Sequence, residues 1–137
     1  MTIRPARPDE EASVTALWRI CDLTVPYNDP VNDFRLASGK ENSDVLVVEK
    51  DEHIVGSVMV GHDGHRGWLY YLAVLPQMRR KGTGRALVRA AEAWLRERGI
   101  PKVQLMVRET NDEVAAFYRR LGYEPMPRIN FQKWLKT

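Results

Sequence analysis

The residues best suited to chemistry in this sequence are glycines among basic side chains, directly after an apolar run. The segment reads L-A-V-L-P-Q-M-R-R-K-G-T-G-R, in which Arg79, Gly82 and Gly84 form an R-x-x-G-x-G pattern. Glycine lets backbone N–H groups turn toward a ligand with no Cβ in the way. A helix predicted to begin at Gly84 adds unpaired N–H groups and positive potential. The pattern predicts an anion site that is neither a Walker loop nor a G-x-G-x-x-G dinucleotide fingerprint.

Hydrophobic periodicity predicts the elements that position this loop. Residues 68–75 are continuously apolar, which indicates a buried strand covered on both faces. A helical pattern follows over 84–98, and alternation predicts a strand over 103–107. Because a strand, a helix and a strand follow one another, we expect a parallel strand pair with a right-handed crossover.

The remaining elements predict a mixed sheet. The pattern indicates a strand over 2–6, a helix from Asp9 that Pro26 ends, a short helix after Pro30, an antiparallel hairpin over 45–60, a helix over 114–121 and a final strand at 129–131. We therefore expect an α/β fold, α+β in type, with helices on both faces of a mixed, mostly antiparallel sheet. The 137 residues are the length of one domain, residues 1–137.

Composition excludes several classes of protein. Hydrophobic residues make up 44% and charged residues 28%, which is typical of a globular chain and not of a disordered one. No apolar run is long enough for a membrane helix, and the N-terminus lacks a secretory signal pattern. The single cysteine, Cys21, excludes an internal disulfide and a cysteine-based zinc site, and is better explained as a buried apolar residue than as a nucleophile. These features favour a cytoplasmic protein.

Charge is divided unevenly along the chain. Residues 22–63 hold three basic and nine acidic side chains, a net −6, whereas residues 64–137 hold fifteen basic and six acidic ones, a net +9. The basic residues gather around one loop, and the tryptophans (Trp18, Trp68, Trp94 and Trp134) fall in predicted core elements. A nucleic-acid-binding surface is therefore disfavoured.

Two blocks of the sequence resemble a known family. R-R-K-G-T-G after L-A-V-L-P is similar to the acyl-CoA pyrophosphate loop of the GNAT superfamily of N-acetyltransferases. N-D-E-V-A-A-F-Y-R-R-L-G-Y, residues 111–123, resembles that family's asparagine–tyrosine helix. The two blocks and the element order cover nearly the full chain. The resemblance implies the GNAT fold and the direct transfer of an acetyl group from acetyl-CoA to an amine, both bound in a ternary complex.

The same resemblance implies roles for particular residues. Backbone groups of Leu72, Ala73 and Val74 would pair with the pantetheine arm of the cosubstrate, and the Val74 N–H would polarise the thioester oxygen. Asn111 would hydrogen-bond the cofactor arm, although its position also suits a plain helix N-cap. Tyr118 would protonate the departing thiolate, although its periodicity also suits a core tyrosine. The pyrophosphate would be held by Arg79, Arg80, Lys81, Gly82, Thr83, Gly84 and Arg85.

The general base is where the sequence departs from the family pattern. Tyr70 and Tyr71 occupy the strand before the loop, and Met106 stands where some members carry glutamate. Glu109 lies just beyond that second strand and is a candidate base, with a water relay or an amine that arrives partly neutral as alternatives. The other candidates lie in one polar turn and are His62, Asp63 and His65. A metal site in that turn is disfavoured, and no metal is expected.

Three further expectations concern partners. Asp29, Asp33, Glu41 and Asp44 would attract a cationic amine acceptor. The last strand, residues 128–135, could form the edge of a homodimer. Because the base is missing, the alternative function is a non-catalytic acyl-CoA-binding regulatory module.

Overall fold

The strands and helices follow the predicted order over most of the chain. The protein is represented by a computed structural model that describes residues 2–136. The strands are β1 (Thr2–Pro5), β2 (Ser43–Lys50), β3 (His53–His62), β4 (Gly67–Val74) and β5 (Val103–Gln104). The α-helices are α1 (Glu11–Ile20), α2 (Pro30–Ala37), α3 (Thr83–Glu97) and α4 (Asp112–Arg120), and two short 3₁₀ turns lie at Pro8–Glu10 and Pro76–Met78.

The five strands form one mixed sheet in the order β1-β2-β3-β4-β5. The first four strands pair antiparallel with their neighbours, whereas β4 and β5 are parallel. In the β2–β3 turn Asp51 and Glu52 both have positive φ, 51° and 66°, which suits the right-handed twist of a two-residue hairpin. The predicted hairpin and the predicted parallel pair are both confirmed.

Helices cover both faces of this sheet, as the periodicity predicted. Adjacent residues of β3 show the two sides, since successive strand residues point to opposite faces. Ser57 accepts a hydrogen bond of 2.9 Å from the indole of Trp18 on α1. A Cβ on the neighbouring Gly56 would lie 3.0 Å from Leu87 on α3. Thus α1 lies on one face and α3 on the other.

Helix α1 carries the largest core side chain. Val14, Leu17 and Trp18 are at most 2% exposed, and the Trp18 ring stacks on Tyr71 of β4 at a centroid distance of 3.9 Å. The prediction that Pro26 ends this helix is wrong, because α1 ends at Ile20. Asp22 adopts the left-handed region (φ 61°), and the next N–H returns to the Trp18 carbonyl at 3.0 Å, which closes the last turn.

The C-terminal part of the chain departs most from the predictions. Strand β5 ends at Gln104 instead of continuing to residue 107, and residues 121–136 contain no strand. Ile129 and Phe131 are 83% and 89% exposed, so their alternation marks no buried face. The predicted last strand is wrong because alternation alone supplies no hydrogen-bonding neighbour. Trp134, predicted to be a core residue, is 56% exposed.

The chain forms two compact units, Met1–Leu105 and Met106–Thr137. The first contains the whole sheet with α1, α2 and α3, and the second contains α4. The prediction of a single domain over residues 1–137 stays a prediction.

Candidate active site

A bulge in β4 shapes the strand that leads to the glycine loop. Ser57 pairs with Ala73, but Met59 pairs with Tyr70, so two residues of β4, Tyr71 and Leu72, lie opposite one residue of β3. Tyr71 has a φ of 51°, which a non-glycine side chain adopts only at some cost. Bulges re-aim the strand that follows them. The sequence gives no signal for this bulge.

Beyond the bulge, β4 presents an unpaired edge. The Leu75 N–H donates to the Val55 carbonyl at 2.9 Å. The neighbouring pair, Val74 and Gly56, is therefore a non-hydrogen-bonded pair, in which the backbone N–H and C=O groups of each residue point away from the other strand. The Val74 N–H is therefore directed away from β3. On that side, within residues 2–136, β5 pairs only with Gly67 and Trp68. At the predicted pantetheine position, β4 thus has no paired strand on this side among residues 2–136.

The Val74 carbonyl is held on the same side of the strand. It accepts hydrogen bonds from the Cys21 thiol at 3.3 Å and from the Arg79 Nε at 3.2 Å. These contacts connect α1, β4 and the glycine loop at one peptide group. Cys21 is partly buried and packs against the core, in agreement with the apolar role expected from the sequence.

The glycine loop has the backbone of an anion cradle. Arg80 and Gly82 both lie in the left-handed region, with φ of 62° and 82°. The first hydrogen bond of α3 runs from the Ala86 N–H to the Gly82 carbonyl at 3.0 Å. Gly84 and Arg85 lie in the first turn of α3, where the backbone N–H groups are not used by the hydrogen-bond ladder of an α-helix. A Cβ on Gly82 would meet nothing within 4 Å, so open space lies beside the loop.

The loop packs against β3 through the buried Thr83 and is surrounded by exposed basic side chains. Thr83, the first residue of α3, is 2% exposed, and its methyl group would lie 3.4 Å from a Cβ on Gly56. Glycine at position 56 therefore lets the start of α3 pack closely on β3. The exposed basic side chains around the loop are Arg79, Arg80, Lys81 and Arg85. Backbone N–H donors together with nearby cationic side chains suit a phosphate group.

The second compact unit contains the other predicted site residues. Asn111 caps α4 by accepting a hydrogen bond from the Val114 N–H at 3.2 Å, so the N-cap interpretation is confirmed. Tyr118 is 8% exposed, and the Phe117 and Tyr123 rings approach it edge-on with centroids at 5.1 and 5.5 Å. Glu109 is exposed in the turn before α4. The cofactor role of Asn111 and the catalytic roles of Tyr118 and Glu109 stay predictions.

Burial determines the protonation state of Tyr118. Removal of the ring from water raises the pKa of its hydroxyl to about 12, because the charged phenolate is disfavoured there. The hydroxyl is therefore fully protonated at neutral pH. It can donate a hydrogen bond to a developing anion, although complete transfer to a thiolate of ordinary pKa, about 8.5, is uphill by about 5 kcal/mol.

Asp33, in the acidic segment of residues 22–63, forms a hydrogen-bonded pair with Tyr71 that the sequence did not predict. The Tyr71 hydroxyl donates to the Asp33 carboxylate of α2 at 2.7 Å. Burial and this hydrogen bond raise the pKa of Tyr71, so it is not a base at neutral pH. The bulge places Tyr71 in contact with both Trp18 and Asp33. Because the bulge arises from the pairing with β3, residue spacing along the sequence could not predict this contact.

The polar turn at residues 62–65 is organised by its own carboxylate. Asp63 Oδ1 accepts from the N–H groups of Arg66 at 2.7 Å and His65 at 2.9 Å, and Oδ2 accepts from the Trp68 indole at 3.3 Å. The backbone donors lower the pKa of Asp63, which makes it a weaker base. Among residues 2–136, no group of three or more His, Cys, Asp or Glu side chains is arranged to hold a metal ion.

The helices of residues 2–136 include none with the length and apolar content needed to cross a membrane.

Comparison with known proteins agrees with this geometry. Residues 11–123 match the model of the Acetyltransferase (GNAT) family, a stretch that runs from α1 to the end of the α4 block. Acetyltransferase ECA0875 of Pectobacterium atrosepticum is 45% identical over 135 residues, which cover 98% of this chain and 96% of that protein.

Solved structures show the same fold at low sequence identity. The aminoglycoside N-acetyltransferase AAC(6')-Iy in complex with CoA has a TM-score of 0.83 at 17% identity, over 98% of this chain and 95% of the other. The aminoglycoside 6'-N-acetyltransferase AAC(6')-IG of Acinetobacter haemolyticus has a TM-score of 0.77 at 19% identity, over 99% and 100%. The family match and the close relative together show that this chain is an acyltransferase enzyme of the GNAT acetyltransferase family.

Proposed function

We propose that the protein transfers the acetyl group of acetyl-CoA to a primary amine, with both substrates bound together and the amine attacking the thioester carbonyl directly. The observation that carries the proposal is the continuity of the open β4 edge with the anion cradle. A ligand with an amide-containing arm and a diphosphate needs both features side by side. A solved neighbour with the same fold binds CoA, which supports this assignment.

The residues present fit such a cosubstrate. Within the segment Leu72–Val74, the Val74 backbone groups would face the arm at the edge that β5 leaves unpaired, whereas those of Ala73 are directed at Ser57 of β3. The diphosphate would lie on the N–H groups from Arg80 to Arg85, where Gly82 leaves room for a close approach. The surrounding side chains of Arg79, Arg80, Lys81 and Arg85 would neutralise its charge.

The Val74 N–H has the direction needed for a role in the chemical step. It is directed at the open edge, where it would polarise the carbonyl oxygen of the thioester as negative charge develops. Because a backbone N–H needs no reorganisation, its contribution would be larger in the transition state than in the ground state.

Tyr118 would assist the departure of sulfur. As the C–N bond forms and the C–S bond breaks, the amine loses one proton and the sulfur gains one. The protonated Tyr118 hydroxyl would donate toward sulfur and then recover a proton from water. Tyr118→Phe should lower kcat at least tenfold and leave the KM for acetyl-CoA within about threefold. The matched control, Tyr123→Phe, removes a neighbouring hydroxyl, and an equal effect in both variants would refute the role.

Glu109 is the proposed general base. Its exposed position before α4 allows contact with water and with an incoming ammonium group. Glu109→Gln should lower kcat/KM at neutral pH, and the loss should shrink at alkaline pH, where the amine arrives already deprotonated. Glu113→Gln, on the first turn of α4, is the control. A loss that is independent of pH would rule out the role of base.

Titration calorimetry with acetyl-CoA tests the proposal directly. We expect saturable micromolar binding, followed by the release of free thiol when an accepted amine is added. Binding without turnover on any amine would instead favour the non-catalytic regulatory module, and no binding at millimolar acetyl-CoA would refute both functions. The cytoplasmic location of the enzyme stays a prediction.

A further inference from the structure

An open cleft lies on the sheet face that α1 and α2 only partly cover. It has a volume of about 200 Å³, and its lining includes Ala37, Met59, Gly61, Asp63, Trp68 and Tyr70. The continuous apolar run of β4 predicted a strand covered on both faces, but Tyr70 is 44% exposed and Trp68 is partly exposed. The full-coverage prediction is therefore wrong at this end of the strand.

Two aromatic rings form one wall of the cleft. Trp68 and Tyr70 lie two residues apart on β4, with ring centroids at 6.4 Å and an interplanar angle of 17°. The edge of the Trp68 indole is occupied by its hydrogen bond to Asp63, which fixes the ring. Aromatic faces attract organic cations, and tryptophan attracts them most strongly.

A fixed negative charge lies beside these rings. Asp63 is held in place by three donors, two from the backbone and one from Trp68. The nearby cation, Arg66, donates its guanidinium to the His65 carbonyl at 3.1 Å and is not part of the cleft lining. A carboxylate next to aromatic faces suits an ammonium group better than it suits a neutral or anionic one.

The position of the cleft relative to the proposed reaction centre sets a length. Tyr70, the ring of the cleft nearer to the proposed reaction centre, is four residues from Val74 on β4, which corresponds to about 10–13 Å along a strand that contains a bulge. We propose that the cleft binds a second cationic group of the acceptor, so that the acceptor is an elongated polyamine with two amino groups at least about 10 Å apart. The length rests on the proposed function, whereas the cation site rests on the cleft alone.

The cation site is tested without turnover. The probes are choline and its neutral isostere 3,3-dimethylbutan-1-ol, and the signal is the indole N–H resonance of Trp68 in ¹H–¹⁵N spectra, assigned with Trp68→Phe. We expect choline to bind at least tenfold more tightly than the alcohol. Asp63→Asn should remove that preference, and Asp51→Asn, in the β2–β3 turn, should retain it. Equal binding of the two probes, or no binding of either, would overturn the cation site.

The length is tested by turnover. The KM for 1,8-diaminooctane should be at least tenfold lower than the KM for 1,3-diaminopropane or for n-octylamine, because only the first combines the length with a second charge. Asp63→Asn should remove this advantage and leave the calorimetric affinity for acetyl-CoA unchanged. Equal KM values would refute the elongated acceptor. If the proposed function is wrong, the wild-type protein will not bind acetyl-CoA, and this result is independent of the affinity measured for choline.

Discussion

The glycine at the start of α3 offers the sharpest test of the anion cradle, because the other end of the same helix provides a matched control. Gly82 and Gly99 flank α3, both have positive φ (82° and 73°), and a Cβ on either would meet nothing within 4 Å. An aspartate at either position therefore brings the same charge and similar backbone strain, with no steric clash. Only Gly82 belongs to the proposed diphosphate site.

The two effects of this substitution have different magnitudes. A non-glycine residue in the left-handed region costs about 1 kcal/mol, or about 3–5 °C in Tm, and the loss should be larger for Gly99→Asp because a negative charge is unfavourable at the C-terminal end of α3 and favourable at its N-terminal end. Two unit charges about 6 Å apart repel by about 0.7 kcal/mol in water and about 3 kcal/mol at an effective dielectric of 20. A diphosphate carries roughly two charges on an exposed loop, so we expect Gly82→Asp to cost about 1.5–3 kcal/mol, or roughly 10- to 150-fold in Kd.

The assay is titration calorimetry of acetyl-CoA with wild-type protein, Gly82→Asp and Gly99→Asp, alongside thermal unfolding. Gly99→Asp should bind acetyl-CoA like the wild type although it should lose at least as much Tm as Gly82→Asp. The difference in Kd between the two variants should become smaller when the salt concentration is raised, because salt screens the charge repulsion on an exposed loop. A Kd for Gly82→Asp within threefold of the wild-type value would refute the proposal that this loop binds the diphosphate. Equal weakening in both variants would show that lost stability, and not charge, is the cause.

Two further predictions concern stability and assembly. Two hydrogen bonds from Arg4 at 2.8 Å lower the pKa of Glu10 to about 2 in the folded protein, below the value of about 4.3 expected in the unfolded chain. The ionised carboxylate therefore stabilises the fold above about pH 4.3, and this stabilisation is lost as the pH falls toward 2. Glu10→Gln should lower the free energy of unfolding by about 1–2 kcal/mol at pH 7, measured in urea, and a gap that stayed constant down to pH 3 would contradict the assignment. Ile129 and Phe131 are 83% and 89% exposed, and the predicted homodimer would cover them. Light scattering should then show a dimer that becomes a monomer in the Ile129→Ser/Phe131→Ser variant, and a monomeric wild type at 100 μM would refute the prediction.

The glycine loop shows how far local sequence can determine a site. The R-x-x-G-x-G pattern between an apolar run and a helical pattern predicted a glycine turn that leads into a helix, and the structure has this turn at Gly82, because left-handed backbone and a helix N-terminus are local properties of glycine and of helix geometry. The helix N-cap at Asn111 was predictable for the same reason. The core face of α1 followed from the spacing of its apolar residues, since burial on one face requires that period.

Other features depended on pairing between distant segments. The last predicted strand failed because alternation at Ile129 and Phe131 specifies a face but supplies no neighbour. The bulge at Tyr71 arises from a register shift against β3, which no single segment encodes. It brings Tyr71 to Asp33, residues 38 positions apart in the chain.

The sequence by itself thus determined the order of elements through β5 and α4, the glycine turn before α3 and the family resemblance, since each follows from short-range spacing. Only the tertiary structure decided where the pairing of β4 with β5 stops and which aromatic side chains stay exposed near Asp63. Those properties depend on which strands pair and where pairing stops, and both are set by contacts between segments far apart in the chain.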